Sequence, residues 1–171
     1  VWSGETQAGA SALIREVLYD AVSLRRRARL HERVGLALES AGTRGTRVGG
    51  ALEERLEELA HHLGQAQSGV AMEKGVDYCL RAGREARHLW ANAAAIRHLT
   101  AALELLDGLP ADPPHLRQRW EVVDNLWRAH LDSREYERAQ EVLQEYLARA
   151  QRAGYPWGMA AAHWQLSLIH I

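Results

Sequence analysis

The chain has 171 residues, of which 47% are hydrophobic and 25% charged, with a formal net charge of −1 and one cysteine. This composition excludes an intrachain disulfide and a cysteine-based zinc ribbon, and it gives no electrostatic reason to expect contact with nucleic acid or a membrane surface. Because there is no signal-peptide pattern and no apolar run near the ~20 residues of a membrane span, we expect a cytoplasmic protein.

Apolar residues recur at helical spacing along nearly the whole chain. The pattern predicts helices at residues 10–23, 24–39, 52–63, 70–88, 92–106, 114–131, 135–153 and from 156 to the end. The glycine-rich segment 42–50 has no periodicity, so a mobile loop is predicted there. No segment alternates in the manner of a strand, and we therefore predict an all-α fold.

A weak internal repeat favours stacked helix pairs over a simple bundle. Five residues recur with an offset of 44: Gly83, Ala86, Ala95, Leu99 and Ala102 correspond to Trp127, His130, Ala139, Leu143 and Tyr146. Their spacing is that of the small and large positions in a tetratricopeptide repeat, whose period is about 34 residues. The surplus of about ten residues fits the proline-rich connector at 108–117. We predict antiparallel helix pairs stacked as a tetratricopeptide-like right-handed solenoid.

A second repeat involves tryptophan. Trp120 and Trp127 are seven residues apart, as are Trp157 and Trp164, so each pair lies on one helix face. Because tryptophan buries a large area at low entropic cost, we predict that these four side chains pack between helices. A platform that stacks a sugar or a peptide is the alternative.

The first part of the chain resembles a segment of bacterial STAND-type ATPase regulators, including LuxR-type and MalT-like activators and cyclase-linked ATPases. The resemblance rests on residues 12–21 (Ala-Leu-Ile-Arg-Glu-Val-Leu-Tyr-Asp-Ala), 26–34 and 37–39. Residues 59–63 (Leu-Ala-His-His-Leu) and 78–83 (Tyr-Cys-Leu-Arg-Ala-Gly) are similar to the first tetratricopeptide repeats of that family.

This resemblance implies a division of the chain. Residues 12–41 would form the helical junction that follows the winged helix in the family, and residues 51–166 the repeats. Residues 1–11 do not match the family, which has an aromatic residue and a histidine there. Residues 167–171 look like the translation of a common sequencing adapter, so we expect a non-native tail. Since the sequence begins with Val, we also expect an internal fragment of a longer protein.

The residues that nucleotide hydrolysis requires are missing from the sequence. A phosphate-binding loop needs Gly-x-x-x-x-Gly-Lys-Ser/Thr, whereas the basic residues of segment 42–50 are Arg44 and Arg47. Cys79 is predicted to pack inside a helix pair, with no base placed to activate it. We predict no catalytic residue and no cofactor in this chain.

The histidines do not form a metal site by spacing within one helix. His61 and His62 are adjacent and point in different directions, whereas ligands on one helix are usually three or four residues apart. His31-Glu32 begins a His-Glu-x-x-His pattern, but Gly35 stands where the second histidine is needed. We therefore predict no metal site.

The repeat register places a set of charged residues on the inner face of the first helix of each pair. These candidate groove residues are Asp77, Arg84, Arg87, Asp124 and Arg128. By resemblance, such a face would bind a partner protein or a small-molecule inducer and report to an ATPase elsewhere in the regulator. The alternative is a stand-alone tetratricopeptide adaptor that binds peptide segments.

Overall fold

The computed structural model describes residue 17, residues 21–44 and residues 55–169. Every regular element within these residues is a helix, so the prediction of an all-α fold is confirmed for them. The helices are α1 (Leu24–Arg44), α2 (Leu56–Leu63), α3 (Gly69–His88), α4 (Asn92–Asp107), α5 (Pro113–Asp132), α6 (Tyr136–Arg152) and α7 (Pro156–Ile169).

Two predictions near the start of the chain need correction. Helix α1 continues to Arg44, so the loop predicted over 42–50 is wrong for its first three residues, and the rest of that segment lies outside the described residues. Of the helix predicted at 10–23, residue 17 is helical but residues 21–23 are not. The remainder of that helix, with residues 1–11 and 170–171, also lies outside the described part.

Local sequence explains where helix α5 begins. Helix α5 starts at Pro113, whose fixed φ suits a first turn, and follows Asp112. The Asp112 carboxylate accepts a hydrogen bond from the His115 backbone N–H at 3.1 Å, which satisfies one free amide of the first turn. This bond is also the main reason why the pKa of Asp112 is lowered.

Each helix packs against the next one along the chain, and α5 also contacts both α3 and α7 directly. One apolar cluster joins α2 to α5 and a second joins α5 to α7. The largest fully buried side chains are Leu59, Leu63, Val76, Cys79, Leu99, Val122 and Leu143. The fold is therefore held together by contacts between neighbours in sequence.

The 44-residue repeat is visible in the helix boundaries. Helices α3 and α5 start at Gly69 and Pro113 and end at His88 and Asp132, so both boundaries share this offset. All ten repeat positions are buried. The residues that correspond at the offset of 44 are therefore buried in both helix pairs.

The same turn also recurs between the helices. After α3, Trp90 has φ +59° and the Ala91 N–H donates to the Ala86 carbonyl at 2.8 Å. After α5, Arg134 has φ +61° and the Glu135 N–H donates to the His130 carbonyl at 2.9 Å. This left-handed closure leads directly into the following helix in both cases.

The tryptophan prediction is half wrong. Trp127 is buried and Trp120 is partly buried against Tyr146, but Trp157 and Trp164 are 54% and 66% exposed. Trp120 and Trp127 are covered by the helices that follow α5. The Trp157 ring lies 6.0 Å from that of Trp120 between centroids, yet both tryptophans of α7 remain more than half exposed.

Candidate functional site

A row of polar side chains crosses from α3 to α5. The Arg84 guanidinium lies 3.3 Å from the Glu121 carboxylate. Arg87 donates to the side-chain oxygen of Asn125 at 2.9 Å and lies 3.4 Å from the Asp132 carboxylate. Two arginines of α3 thus contact three polar side chains of α5, although α4 lies between these two helices in the sequence.

The row continues from α5 to α7 through Asp124. Its carboxylate accepts hydrogen bonds from the Trp127 indole N–H at 3.1 Å and from Arg128 at 3.1 and 3.2 Å. It also lies 3.4 Å from the side-chain amide of Gln165 on α7. The Arg128 guanidinium stacks over the Trp127 ring at 5.1 Å from its centroid. We call the whole row, which runs across α3, α5 and α7, the polar surface.

Four of the five predicted groove residues lie on this polar surface: Arg84, Arg87, Asp124 and Arg128. The fifth, Asp77, is exposed on α3 and pairs with Arg81 of its own helix at 3.6 Å. Whether any of them contacts a ligand stays a prediction.

Sequence reasoning missed the partners that complete the row: Glu121, Asn125, Asp132 and Gln165. Glu121, Asn125 and Asp132 lie one turn from Asp124 or Arg128 on the same helix, and that spacing was a usable signal. Gln165 gave no such signal, because its place depends on how α7 packs.

A cavity of about 310 Å³ lies between α4, α5 and α6. Asp107 sits at its edge, 2.8 Å from the Arg119 guanidinium and 2.7 Å from that of Arg149. Arg119 is buried, and burial together with the nearby Arg149 lowers its pKa, while Asp107 opposes the shift. Two guanidinium groups beside one carboxylate leave an excess of positive charge. A small anionic group can therefore bind in this cavity.

Three histidines meet where α1 packs on α2. The Nδ1 atoms of His31 and His62 lie 2.9 Å apart, and the rings of His31 and His61 lie 5.3 Å apart between centroids. The pKa values of His31 and His62 are lowered, mainly by burial and then by the neighbouring imidazoles. The spacing test within single helices could not find this cluster, because His31 comes from another helix.

Cys79 is a buried thiol, as its position in the sequence predicts. It is 0% exposed and its Sγ lies 3.4 Å from the Ala60 carbonyl oxygen, to which it donates. Burial raises its pKa to about 12, with a smaller contribution from Glu57. Because the thiolate is the reactive form, this environment makes Cys79 a poor nucleophile.

No family model matches this chain, and neither a curated protein nor a solved structure matches it. Among the helices of residues 21–44 and 55–169, none combines the length and hydrophobicity needed to cross a bilayer. The geometry of the described residues is therefore the basis for any functional proposal.

Proposed function

We propose that the chain is a non-catalytic helical-repeat module that binds an extended segment of a partner protein along the polar surface. The observation that carries this proposal is that α5 contacts both α3 and α7. Arg84 and Arg87 of α3 therefore lie beside Asp124 and Arg128 of α5, and Gln165 of α7 comes next in the row. A surface shared by three helices offers several anchoring points to an extended peptide.

The energetics of the polar surface suit exchange with a partner. Arg84 and Glu121 are each more than 40% exposed, and ion pairs at such exposure contribute roughly 0–1 kcal/mol. A peptide that brings its own charges can replace them with little loss. The Arg128 guanidinium, which is partly exposed and lies over the buried Trp127 ring, adds a flat group of the kind that contributes strongly to binding energy at interfaces.

The equivalent boundaries of α3 and α5 and the recurring turn support a tetratricopeptide-like right-handed solenoid as the architecture. In such an array the first helix of each pair lines one face, which agrees with the contacts among α3, α5 and α7.

The resemblance of residues 12–154 to STAND-type regulators suggests the wider role. In that setting the module is the cytoplasmic sensor or scaffold of a signalling or transcriptional regulator of LuxR-like type. Binding of the partner then biases the state of an ATPase elsewhere in the protein, which requires different affinities for the resting and active forms. The alternative is a stand-alone adaptor that binds peptides by the same surface.

A small-molecule inducer is the second candidate ligand, and the cavity beside Asp107 favours it. An anionic group on the ligand would compete with Asp107 for Arg119 and Arg149. That competition links occupancy of the cavity to the contacts that α4 makes with α5 and α6 through Asp107.

The peptide-binding proposal is tested by selecting a displayed random-peptide library on the purified chain. Selected peptides are then measured by fluorescence anisotropy against Arg84→Glu, Arg128→Glu and the control Arg138→Glu. Arg138 is exposed on α6 and pairs with Glu141 of the same helix. We expect about a tenfold or greater loss of affinity for the first two variants and none for the control.

Peptides that bind all three variants equally would place binding elsewhere and contradict the proposal. Circular dichroism of each variant separates loss of binding from loss of fold. The regulator setting is tested separately by sequencing the genomic locus outward from both ends of the chain. An in-frame P-loop ATPase upstream supports it, whereas a start codon close to Val1 supports the stand-alone adaptor.

A further inference from the structure

The three histidines between α1 and α2 form a group unrelated to the polar surface. His31, His61 and His62 each offer a ring nitrogen, and these three atoms lie within 4.8 Å of one another. The closest pair, His31 and His62, is 2.9 Å apart. We propose that these histidines form a binding site for a divalent transition-metal ion of the Zn²⁺ class.

The distances are close to those that coordination requires. Zinc binds imidazole nitrogen at about 2.0–2.1 Å, which places two tetrahedral ligands about 3.3 Å apart. The Nδ1 atoms of His31 and His62 would therefore move apart by a few tenths of an ångström. A separation of 4.8 Å, the upper limit within the cluster, would shrink by about 1.5 Å. His61 is exposed, so its side chain can make that movement by rotating about its own bonds.

The position of His31 is fixed by contacts of two residues that follow it along α1. Its neighbour Glu32 accepts a hydrogen bond from the Ser68 hydroxyl at 2.6 Å. Two turns later, Glu39 accepts one from the Tyr78 hydroxyl at 3.1 Å and pairs with Lys74. These contacts hold α1 against the helices that follow it and keep the buried His31 ring beside the other two.

Gly35 permits the close approach of α1 to α2. A Cβ at this position would lie 2.6 Å from the Leu63 Cγ and 3.4 Å from the His62 Cβ. Any larger residue would push the two helices apart at the histidines. Gly35, which stands where a His-Glu-x-x-His pattern needs its second histidine, thus allows His31 of α1 to approach His61 and His62 of α2.

The chemistry of the donors selects the metal. Three imidazoles suit Zn²⁺, Cu²⁺ and Ni²⁺, whereas Mg²⁺ and Ca²⁺ prefer oxygen ligands. A fourth position remains for water or for Glu58, which lies one turn before His62 on the same face of α2. Its side chain is 59% exposed and lies 3.6 Å from Arg55, and an ion pair at this exposure is weak enough for a bound metal to replace it. A bound ion would link α1 to α2 without using any residue of the polar surface.

The test uses the complete 171-residue chain with any affinity tag removed. Zn²⁺ is titrated calorimetrically, and Co²⁺ is used in parallel because its visible absorption reports coordination geometry. The variants are His31→Gln, His61→Gln and the control His163→Gln, an exposed histidine of α7. We expect one equivalent of metal to bind to the native chain and to His163→Gln.

Loss of a residue that only hydrogen-bonds to a metal ligand typically weakens metal binding by roughly 10–100-fold. Loss of one histidine of the cluster, which would be a ligand itself, should weaken Zn²⁺ binding by at least that much. Zn²⁺ should also raise the melting temperature of the native chain but not that of His61→Gln. Binding to the native chain no tighter than to the triple His31→Gln, His61→Gln, His62→Gln variant would overturn the proposal. If His31→Gln does not fold, the exposed His61→Gln carries the test alone.

Discussion

A Cβ placed on Gly83 of α3 would lie 2.6 Å from the Cγ of Leu99 on α4. Leu99 is 0% exposed, so its side chain has no free space into which it can move. Gly83 therefore sets how closely the two helices of this pair approach, which is the role expected of a small position in the repeat. We expect Gly83→Ala to destabilise the fold through overpacking.

The matched control is Gly69→Ala on the same helix, where an added Cβ meets nothing within 4 Å. Both changes replace glycine by alanine, and the gain in helix propensity is smaller at Gly69, the first residue of α3, than at the interior Gly83. Propensity alone would therefore make Gly83→Ala the more stable variant. Gly83→Ala should be less stable than Gly69→Ala by about 1–3 kcal/mol in urea unfolding. Equal stability of the two variants would show that α3 and α4 do not pack closely at Gly83.

Ala95 tests the partner helix in the same pair. It is fully buried on α4, and a tryptophan there must displace neighbouring helices. Ala95→Trp should cost at least about 1–3 kcal/mol, whereas Ala93→Trp, exposed two residues earlier, should cost little. Thermal unfolding followed by circular dichroism measures both. Unchanged melting of Ala95→Trp would contradict the repeat register.

Apolar periodicity was sufficient to predict most of the later helices. The segment predicted at 70–88 differs from α3 by one residue at its start, and the segment predicted at 114–131 differs from α5 by one residue at each end. Glycine and proline near the starts of these two helices allowed the starts to be predicted, because both residues act on the backbone locally. The repeat register also predicted burial at Leu99 and Leu143, whose surroundings are set by the two nearest helices.

Features that depend on distant packing could not be predicted in this way. The approach of His31 to His62 requires α1 to lie on α2, and no local pattern indicates that arrangement. Trp164 matches Trp127 in sequence but not in burial, since burial depends on which other helices pack against the residue. The same limit applies to Gln165, which reaches Asp124 only through the packing of α7 on α5.

The left-handed turn after each of three helices gives a stability prediction. Gly154, after α6, has φ +59° and an added Cβ would meet no other atom within 4 Å. Gly154→Ala should therefore cost about 1 kcal/mol through backbone strain alone. Arg134 has φ +61° at the equivalent place after α5, so Arg134→Gly should instead be neutral or stabilising. Urea unfolding with an unchanged slope checks both, and destabilisation by Arg134→Gly would argue against a shared turn.

The environment of Cys79 predicts its reactivity. With a pKa near 12 instead of the ordinary 9.0, the thiolate fraction at pH 8 falls by about a thousandfold. Reaction with a thiol reagent such as dithionitrobenzoate should then require unfolding, because the sulfur is also closed to solvent. The native chain should react slowly at pH 8 and rapidly in concentrated urea, while Cys79→Ala should give no signal under either condition.

The same shift gives the sign of a pH effect on stability. Because the pKa of Cys79 is raised in the folded chain, the folded state keeps the thiol proton at pH values where the unfolded state has lost it. The contribution of this group is therefore fully present below about pH 9 and is lost as the pH rises towards 12. Unfolding free energies at pH 8 and pH 10 should differ less in Cys79→Ala than in the native chain. In the separate test with dithionitrobenzoate, a native chain that reacts at pH 8 as fast as the unfolded chain would show that α3 does not bury this thiol against Ala60.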